Sequence, residues 1–233
     1  MRVVLVHGSV GNGPATWSAV QTLAERWKLV VPNRGGYPPN PPLDRIDFEQ
    51  QAEELAPLLE GGAHLVGHSY GGVIALLMAA RHPDSVRSLT VSEPPAFGVA
   101  RGRPEVESLV GGLAALFDSK PQEPEAFLRE FLALVGSDTK LPDSLPPELE
   151  QGTRAMMVER PPWEAEIPLD ELAAAPLPKL LVSGAHNPAF DAVCDVLEER
   201  LGAERAVLPG AGHSLPRAPG YPERLNRFLS GNT

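Results

Sequence analysis

Gly67-His68-Ser69-Tyr70-Gly71 constrains the fold of this chain more than any other stretch. It follows the apolar run Ala63 to Val66 and leads straight into Gly72-Val73-Ile74-Ala75-Leu76-Leu77-Met78-Ala79-Ala80, which reads as a helix. A serine between two glycines at a strand-to-helix corner is the arrangement that lifts a hydroxyl out of a sheet edge on a strained turn. The glycines belong there because a side chain at either position would collide with the neighbouring strand or helix in so sharp a bend. Ser69 is therefore a candidate nucleophile, and the chain a candidate serine hydrolase.

The totals fit one soluble domain. A chain of 233 residues, 42% hydrophobic and 21% charged, can bury one substantial core. A formal net charge of -10 argues against a nucleic-acid partner, which would call for a basic face. No apolar run approaches the length of a membrane span, so no membrane partner is expected. Met1-Arg2 opens directly onto Val3-Val4-Leu5-Val6 without a small-residue cleavage site, which reads as a cytoplasmic protein with no secretory leader. The single cysteine, Cys194, excludes an internal disulfide and a cysteine-based metal cluster. None of the six histidines sits at a metal-ligand spacing, so neither metal nor cofactor is expected. A homodimer stays open.

Short apolar runs alternate with helical patterns, the signature of an α/β fold with a mostly parallel sheet and helices on both faces. About six strands are expected, over 2–7, 28–32, 63–67, 87–92, 179–183 and 205–208; being Val/Leu-rich without strict polar alternation, they read as buried on both sides. Helices are expected over 15–27, 48–59, 72–82, 189–201 and 221–229. The rhythm breaks over 94–168, where proline is dense and three amphipathic segments, near 105–117, 124–135 and 147–158, replace strands. An insertion of that length reads as a small helical cap between the core segments 1–93 and 169–233. Phe97, Leu116, Phe117, Phe127, Phe131, Met156, Met157 and Trp163 pack it down, with some lining a pocket.

Two further signals fall where acyl transfer needs them. His7-Gly8-Ser9-Val10 turns directly after the first strand, leaving a backbone N–H free to face the site. Donors from Ser9 (or Val10) and from Tyr70 could together hold the negative oxygen of a tetrahedral intermediate, and losing one of such a pair costs about 10²–10³ in rate. His7 reads as an anchor of the turn. Gly210-Ala211-Gly212-His213-Ser214 follows the last strand and suits a general base presented on a loop, because an imidazole can accept and return a proton near neutral pH. His68 reads as structural, and His64 and His82 as incidental.

His7-Gly8, Asn33-Arg34-Gly35-Gly36-Tyr37, the elbow with Gly72, Glu93-Pro94-Pro95 and Gly212-His213 together resemble the α/β-hydrolase fold. Within it the chain is similar to the small bacterial esterases and lactonases grouped with cofactor-free haloperoxidases and proline iminopeptidases. The resemblance covers 1–93 and 169–233; the cap resembles nothing specific. It implies a sheet parallel around the elbow strand, with the first one or two of the usual eight strands missing.

The triad acid departs from that pattern. Relatives carry an Asp in a Gly-x-x-Asp setting before the histidine loop, whereas this chain reads Gly184-Ala185-His186-Asn187, with Asn187 at the Asp position. An amide there can favour the wrong histidine tautomer, a swap that costs about 10⁴ in kcat in a well-studied triad. Three readings remain. Glu93, after the strand that follows the elbow helix, is a place some relatives such as haloalkane dehalogenases use for their acid. Asp191 lies one helical turn past Asn187. Or there is no competent acid, and Glu93 is a conformational support kept extended by Pro94. The favoured function is a serine hydrolase of a small carboxylic ester, thioester or lactone, with Ser69, His213 and Glu93 catalytic and the Ser9 and Tyr70 amides as oxyanion hole. The alternative is a small-molecule receptor whose triad has decayed; a lyase or cofactor-free peroxidase is a third chemistry the constellation supports.

Overall fold

The computed structural model describes residues 1–119, 123–137 and 139–232. Six strands form one sheet: β1 (Arg2–Val6), β2 (Lys28–Val30), β3 (Ala63–His68), β4 (Val86–Ser92), β5 (Lys179–Ser183) and β6 (Glu204–Val207). Their order is β2-β1-β3-β4-β5-β6, and every pairing is parallel. The helices are α1 (Gly13–Thr16), α2 (Phe48–Leu55), α3 (Tyr70–Arg81), α4 (Pro104–Ser119), α5 (Pro124–Leu134), α6 (Pro147–Met157), α7 (Leu169–Ala174), α8 (Pro188–Leu201) and α9 (Tyr221–Gly231).

Strand alternation builds two cores. Val3, Leu5, Val66, Leu180 and Val182 face Trp17, Val20 and the α9 residues Leu225 and Phe228. Val4, Val6, Leu65, Leu89, Val91 and Leu181 face α2, α3 and α8. Each such fully buried aliphatic side chain contributes roughly 1.5–3 kcal/mol. Tyr70 to Ala79 of α3 are all buried, so this helix is apolar on every side because the protein surrounds it. The chain leaves β1 for β2 on one side and returns to β3 on the other. Crevices at such a reversal, beyond the carboxyl ends of the strands, are where open α/β sheets bind ligands.

Two local expectations need correction. The single helix expected over 15–27 is the short α1 followed by a 3-10 segment, Ala19–Glu25. Ser18 and Thr22 donate their hydroxyls to the carbonyls of Ala15 and Ala19, three residues back, a side-chain competition that disfavours regular α-helix. The second strand stops at Val30, short of the expected end.

Between β4 and β5 run α4, α5, α6 and α7. The α4 residues Val106, Leu109, Val110 and Leu113 merge with the main core, whereas Leu116, Phe127, Leu128 and Met156 form a separate cluster over the carboxyl ends of the strands. A parallel bridge between Ile46 and Glu159 ties the chain just after α6 to the rest.

Candidate active site

Ser69 sits between β3 and α3 with φ 52° and ψ -127°. Its N–H donates to the Ser92 carbonyl at 2.9 Å, and its own carbonyl accepts from Gly72 N at 2.7 Å. The flanking glycines are required by space. A Cβ on Gly67 would stand 2.7 Å from that of Ala75, and one on Gly71 would run into the His7 and Val6 carbonyls. Gly8 on the neighbouring loop is as tight, its Cβ falling 2.8 Å from that of Ser69.

The side chains proposed from the sequence converge here. Ser69 Oγ lies 3.0 Å from His213 Nε2, and His213 Nδ1 lies 2.8 Å from Glu93 Oε2. The histidine loop is pinned to the elbow, because His68 Nε2–H donates to the His213 carbonyl at 2.7 Å. Burial, and then the His213 imidazole, push His68 down to about 3, so it is a neutral strut. The ring of Phe190 packs on His213 with centroids 4.7 Å apart.

Glu93 is the carboxylate that meets His213. Burial pushes its carboxyl up, but His186, His213 and the Gly184 N–H outweigh that and hold it at about 2. Gly184 N–H donates to Oε1 at 2.7 Å. The extended conformation expected beside Pro94 is not observed: Glu93 has φ 43°. Asn187 instead caps α8, its side-chain oxygen accepting from Ala189 N at 3.0 Å. Asp191 faces Arg205 at 3.3 Å and is not in the relay.

His186 is a participant that the sequence reading quoted without a role. Its Nδ1 lies 3.2 Å from Glu93 Oε1, and its Nε2 donates to the Val135 carbonyl at 3.2 Å. A carboxylate this close favours the imidazolium by charge, although Nδ1 makes no hydrogen bond among the described residues. Burial lowers its pKa, but the Glu93 carboxylate outweighs this and the net shift is upward. The donor atoms of Glu93, His186 and His213 lie within 4.8 Å of one another, a grouping of metal-ligand type. His213 Nδ1 and the Glu93 oxygens are, however, already committed to one another and to Gly184.

The backbone N–H groups of Ser9 and Tyr70 flank Ser69, and neither has an acceptor among the described residues. The Ser9 hydroxyl is engaged: it donates to Glu159 Oε2 at 2.5 Å. Glu159 and its buried partner Arg34 are further residues to which the sequence reading gave no role. Four non-glycine residues have positive φ among those described, namely Val10, Ser69, Glu93 and Ala185, and all four lie in this region.

Two cavities meet at Ser69 and His213. One is an open cleft of about 320 Å³ bordered by Leu128, Leu132, Leu141, Leu149, Lys140 and Arg217. The other is a slot of about 30 Å³ walled by Phe97, Phe117, Met156, Trp163 and Phe190.

The profile of the alpha/beta hydrolase family matches residues 3–227, and the chain belongs to that family. A pimeloyl-[acyl-carrier protein] methyl ester esterase of Aeromonas hydrophila is 29% identical over 231 residues, covering 91% of this chain and 88% of that one. The protein of the same description from Chromobacterium violaceum is 34% identical over 139 residues, 57% of this chain and 52% of that one. Among solved structures, NosK from Streptomyces actuosus superposes with a TM-score of 0.69 at 24% identity, over 99% of this chain and 98% of that one. The N-acyl homoserine lactonase AidH gives 0.70 at 20% identity, over 100% and 89%. These two structures share the fold.

Proposed function

We propose that Ser69, His213 and Glu93 are the catalytic triad of an esterase for the methyl, or similarly small, ester of an elongated and mostly apolar acid. The chain is an ester-bond hydrolase. The observation that carries the finer reading is the placement of a hydrogen-bonded Ser69–His213–Glu93 relay at the junction of a narrow slot and an open cleft. The slot has about a tenth of the cleft's volume, so the smaller side of an ester, such as a methoxy group, suits it. The cleft has room for the long part and leads outward past Lys140 and Arg217, neither of which has a carboxylate within 4.0 Å among the described residues. An acyl group with an anionic or carrier-borne far end suits such an exit. The substrate in the names of the relatives, a methyl ester on a carrier-bound acyl group, is of this shape.

The chemistry follows from the geometry. Ser69 Oγ attacks the ester carbonyl while His213 Nε2 takes its proton. Glu93 holds the imidazole in the tautomer that presents a bare Nε2, and stabilises the imidazolium once it forms. The carbonyl oxygen gains the negative charge and is met by the Ser9 and Tyr70 N–H groups. Collapse expels the alkoxide, which His213 protonates, leaving an acyl group on Ser69. Water, deprotonated by the same histidine, then releases the acid. The segment 94–168 acts as a cap that shapes the slot. The decayed-triad alternative rested on Asn187; a carboxylate 2.8 Å from His213 supports the esterase reading over it. No helix among the described residues is long and apolar enough to cross a membrane, and we place the reaction in the cytoplasm.

A fluorophosphonate probe and two isomeric esters test this reading. Ser69 is expected to be labelled, and methyl octanoate to be cleaved with a kcat/KM at least about tenfold above that of heptyl acetate. An unlabelled Ser69 removes the esterase; a preference for heptyl acetate reverses the assignment of slot and cleft.

A further inference from the structure

The triad makes no use of one charged pair beside it. Arg34 and Glu159 meet at 2.7 Å with side chains 0% and 2% exposed. Burying two charges is expensive unless the remaining donors and acceptors find partners. Arg34 also donates to Gln51 Oε1 at 2.8 Å and to the Gly8 carbonyl at 2.9 Å, and its guanidinium lies between the Tyr37 and Tyr70 rings, 4.4 and 4.8 Å from their centroids. Glu159 accepts from the Tyr37 hydroxyl at 2.8 Å as well as from Ser9.

This network controls the direction of one peptide. The Gly8 carbonyl is drawn to Arg34, and His7 Nδ1–H donates to it at 2.7 Å. His7 is fixed in that tautomer because its Nε2 accepts from Arg34 N at 3.0 Å. In a trans peptide the N–H points opposite to the carbonyl, so the Ser9 N–H is aimed away from Arg34. Beyond it, Glu159 holds the Ser9 hydroxyl, and Gly11 N donates to the Ser9 carbonyl at 2.9 Å across Val10, whose φ of 72° marks a γ-turn. From above, α6 presses on the Val10 carbonyl at Gly152, where a Cβ would fall inside the oxygen's van der Waals shell.

We propose that Glu159, backed by Arg34, is a positioning residue that aims the Ser9 amide at the developing oxyanion, so that the segment covering the site also completes its electrostatics. This rests on the esterase reading above. Glu159 also borders the slot, but its carboxylate oxygens are taken up by Ser9, Arg34 and Tyr37, so it acts through the loop it holds.

The test compares wild type, Glu159→Gln and Ser9→Ala on methyl octanoate. It also measures inhibition by an octyl trifluoromethyl ketone, which adds to Ser69, and by the unfluorinated ketone, which binds without adding. Glu159→Gln is expected to lower kcat about 10–100-fold, short of the loss of a whole oxyanion donor, with KM within about twofold. Affinity for the trifluoromethyl ketone should fall by the same factor and that for the plain ketone should not. A folded Glu159→Gln with wild-type kcat, or one that loses both ketones equally, overturns the proposal. If Glu159→Gln fails to fold, Ser9→Ala decides, because it leaves the ion pair in place. A kcat lowered roughly threefold or more, in step with the trifluoromethyl ketone, supports the proposal, and an unchanged kcat overturns it. A wild type that neither cleaves methyl esters nor labels at Ser69 fails the esterase reading, and this inference falls with it.

Discussion

Glu93 and His213 stand 120 residues apart in the chain, and their side chains meet at 2.8 Å. The strand that leads to Glu93 lies beside the one that leads to the elbow, so this carboxylate reaches His213 from the end of β4 rather than from the loop after β5. The Gly184 N–H from that loop donates to Glu93 instead of the loop supplying its own carboxylate.

Glu93→Gln is therefore expected to lower kcat by about 10³–10⁴, since an amide no longer holds His213 in the productive tautomer. Asp191→Asn, which alters only the contact with Arg205, is expected to leave kcat within about twofold. Steady-state rates on a short p-nitrophenyl ester separate the two, and the reverse pattern reassigns the acid.

The same carboxylate links the site to acid stability. Held at about 2 against an ordinary value of 4.5, it stays ionised in the folded chain at a pH where the unfolded chain has taken up the proton. Its contribution is complete above 4.5 and fades as the pH falls toward 2. His186 has the opposite sign: with its pKa raised above 6.5, its contribution is complete below 6.5 and is lost as the pH rises through the folded value. Urea unfolding of wild type and Glu93→Gln from about pH 6 to about pH 2 is expected to show a stability gap that closes toward the acid end. A gap independent of pH contradicts the assignment.

Two glycines offer a controlled comparison. At Gly152 an added methyl group would strike the Val10 carbonyl, whereas at Gly111 in α4 nothing stands within 4 Å. Gly111→Ala should stabilise by about 0.5–1 kcal/mol, because glycine costs that much inside a helix. Gly152→Ala should destabilise by about 1–3 kcal/mol and slow turnover as the loop yields. Urea midpoints and kcat for both variants check this; identical behaviour would mean that α6 does not bear on the loop.

The four inner strands were readable because each is a short, mostly apolar run enclosed on both faces, and the elbow because only glycine fits at 67 and 71. The edge strands β2 and β6 are partly exposed, against the expectation of burial on both sides, because each has a neighbour on one side only. The Glu93–His213 contact was half readable. Glu93 could be nominated from its strand, but nothing in the sequence shows the φ of 43° that turns it, and Pro94 argued for extended backbone. Arg34 stood inside a stretch quoted for the family resemblance, yet its partner lies 125 residues away and no local pattern joins them. A signal did exist for Glu159: an acid directly after Met156-Met157-Val158 is out of place unless buried with a partner. His186 sat one residue before the amide that drew attention, and its role depends on Glu93 arriving from another strand.

The four side chains held at positive φ each store about 1–3 kcal/mol, and they lie together around the Ser69 site. Such conformations persist only while their surroundings over-determine them. On gradual heating, esterase turnover should therefore disappear before far-ultraviolet helicity does, leaving an interval in which a well-folded globule is chemically inert.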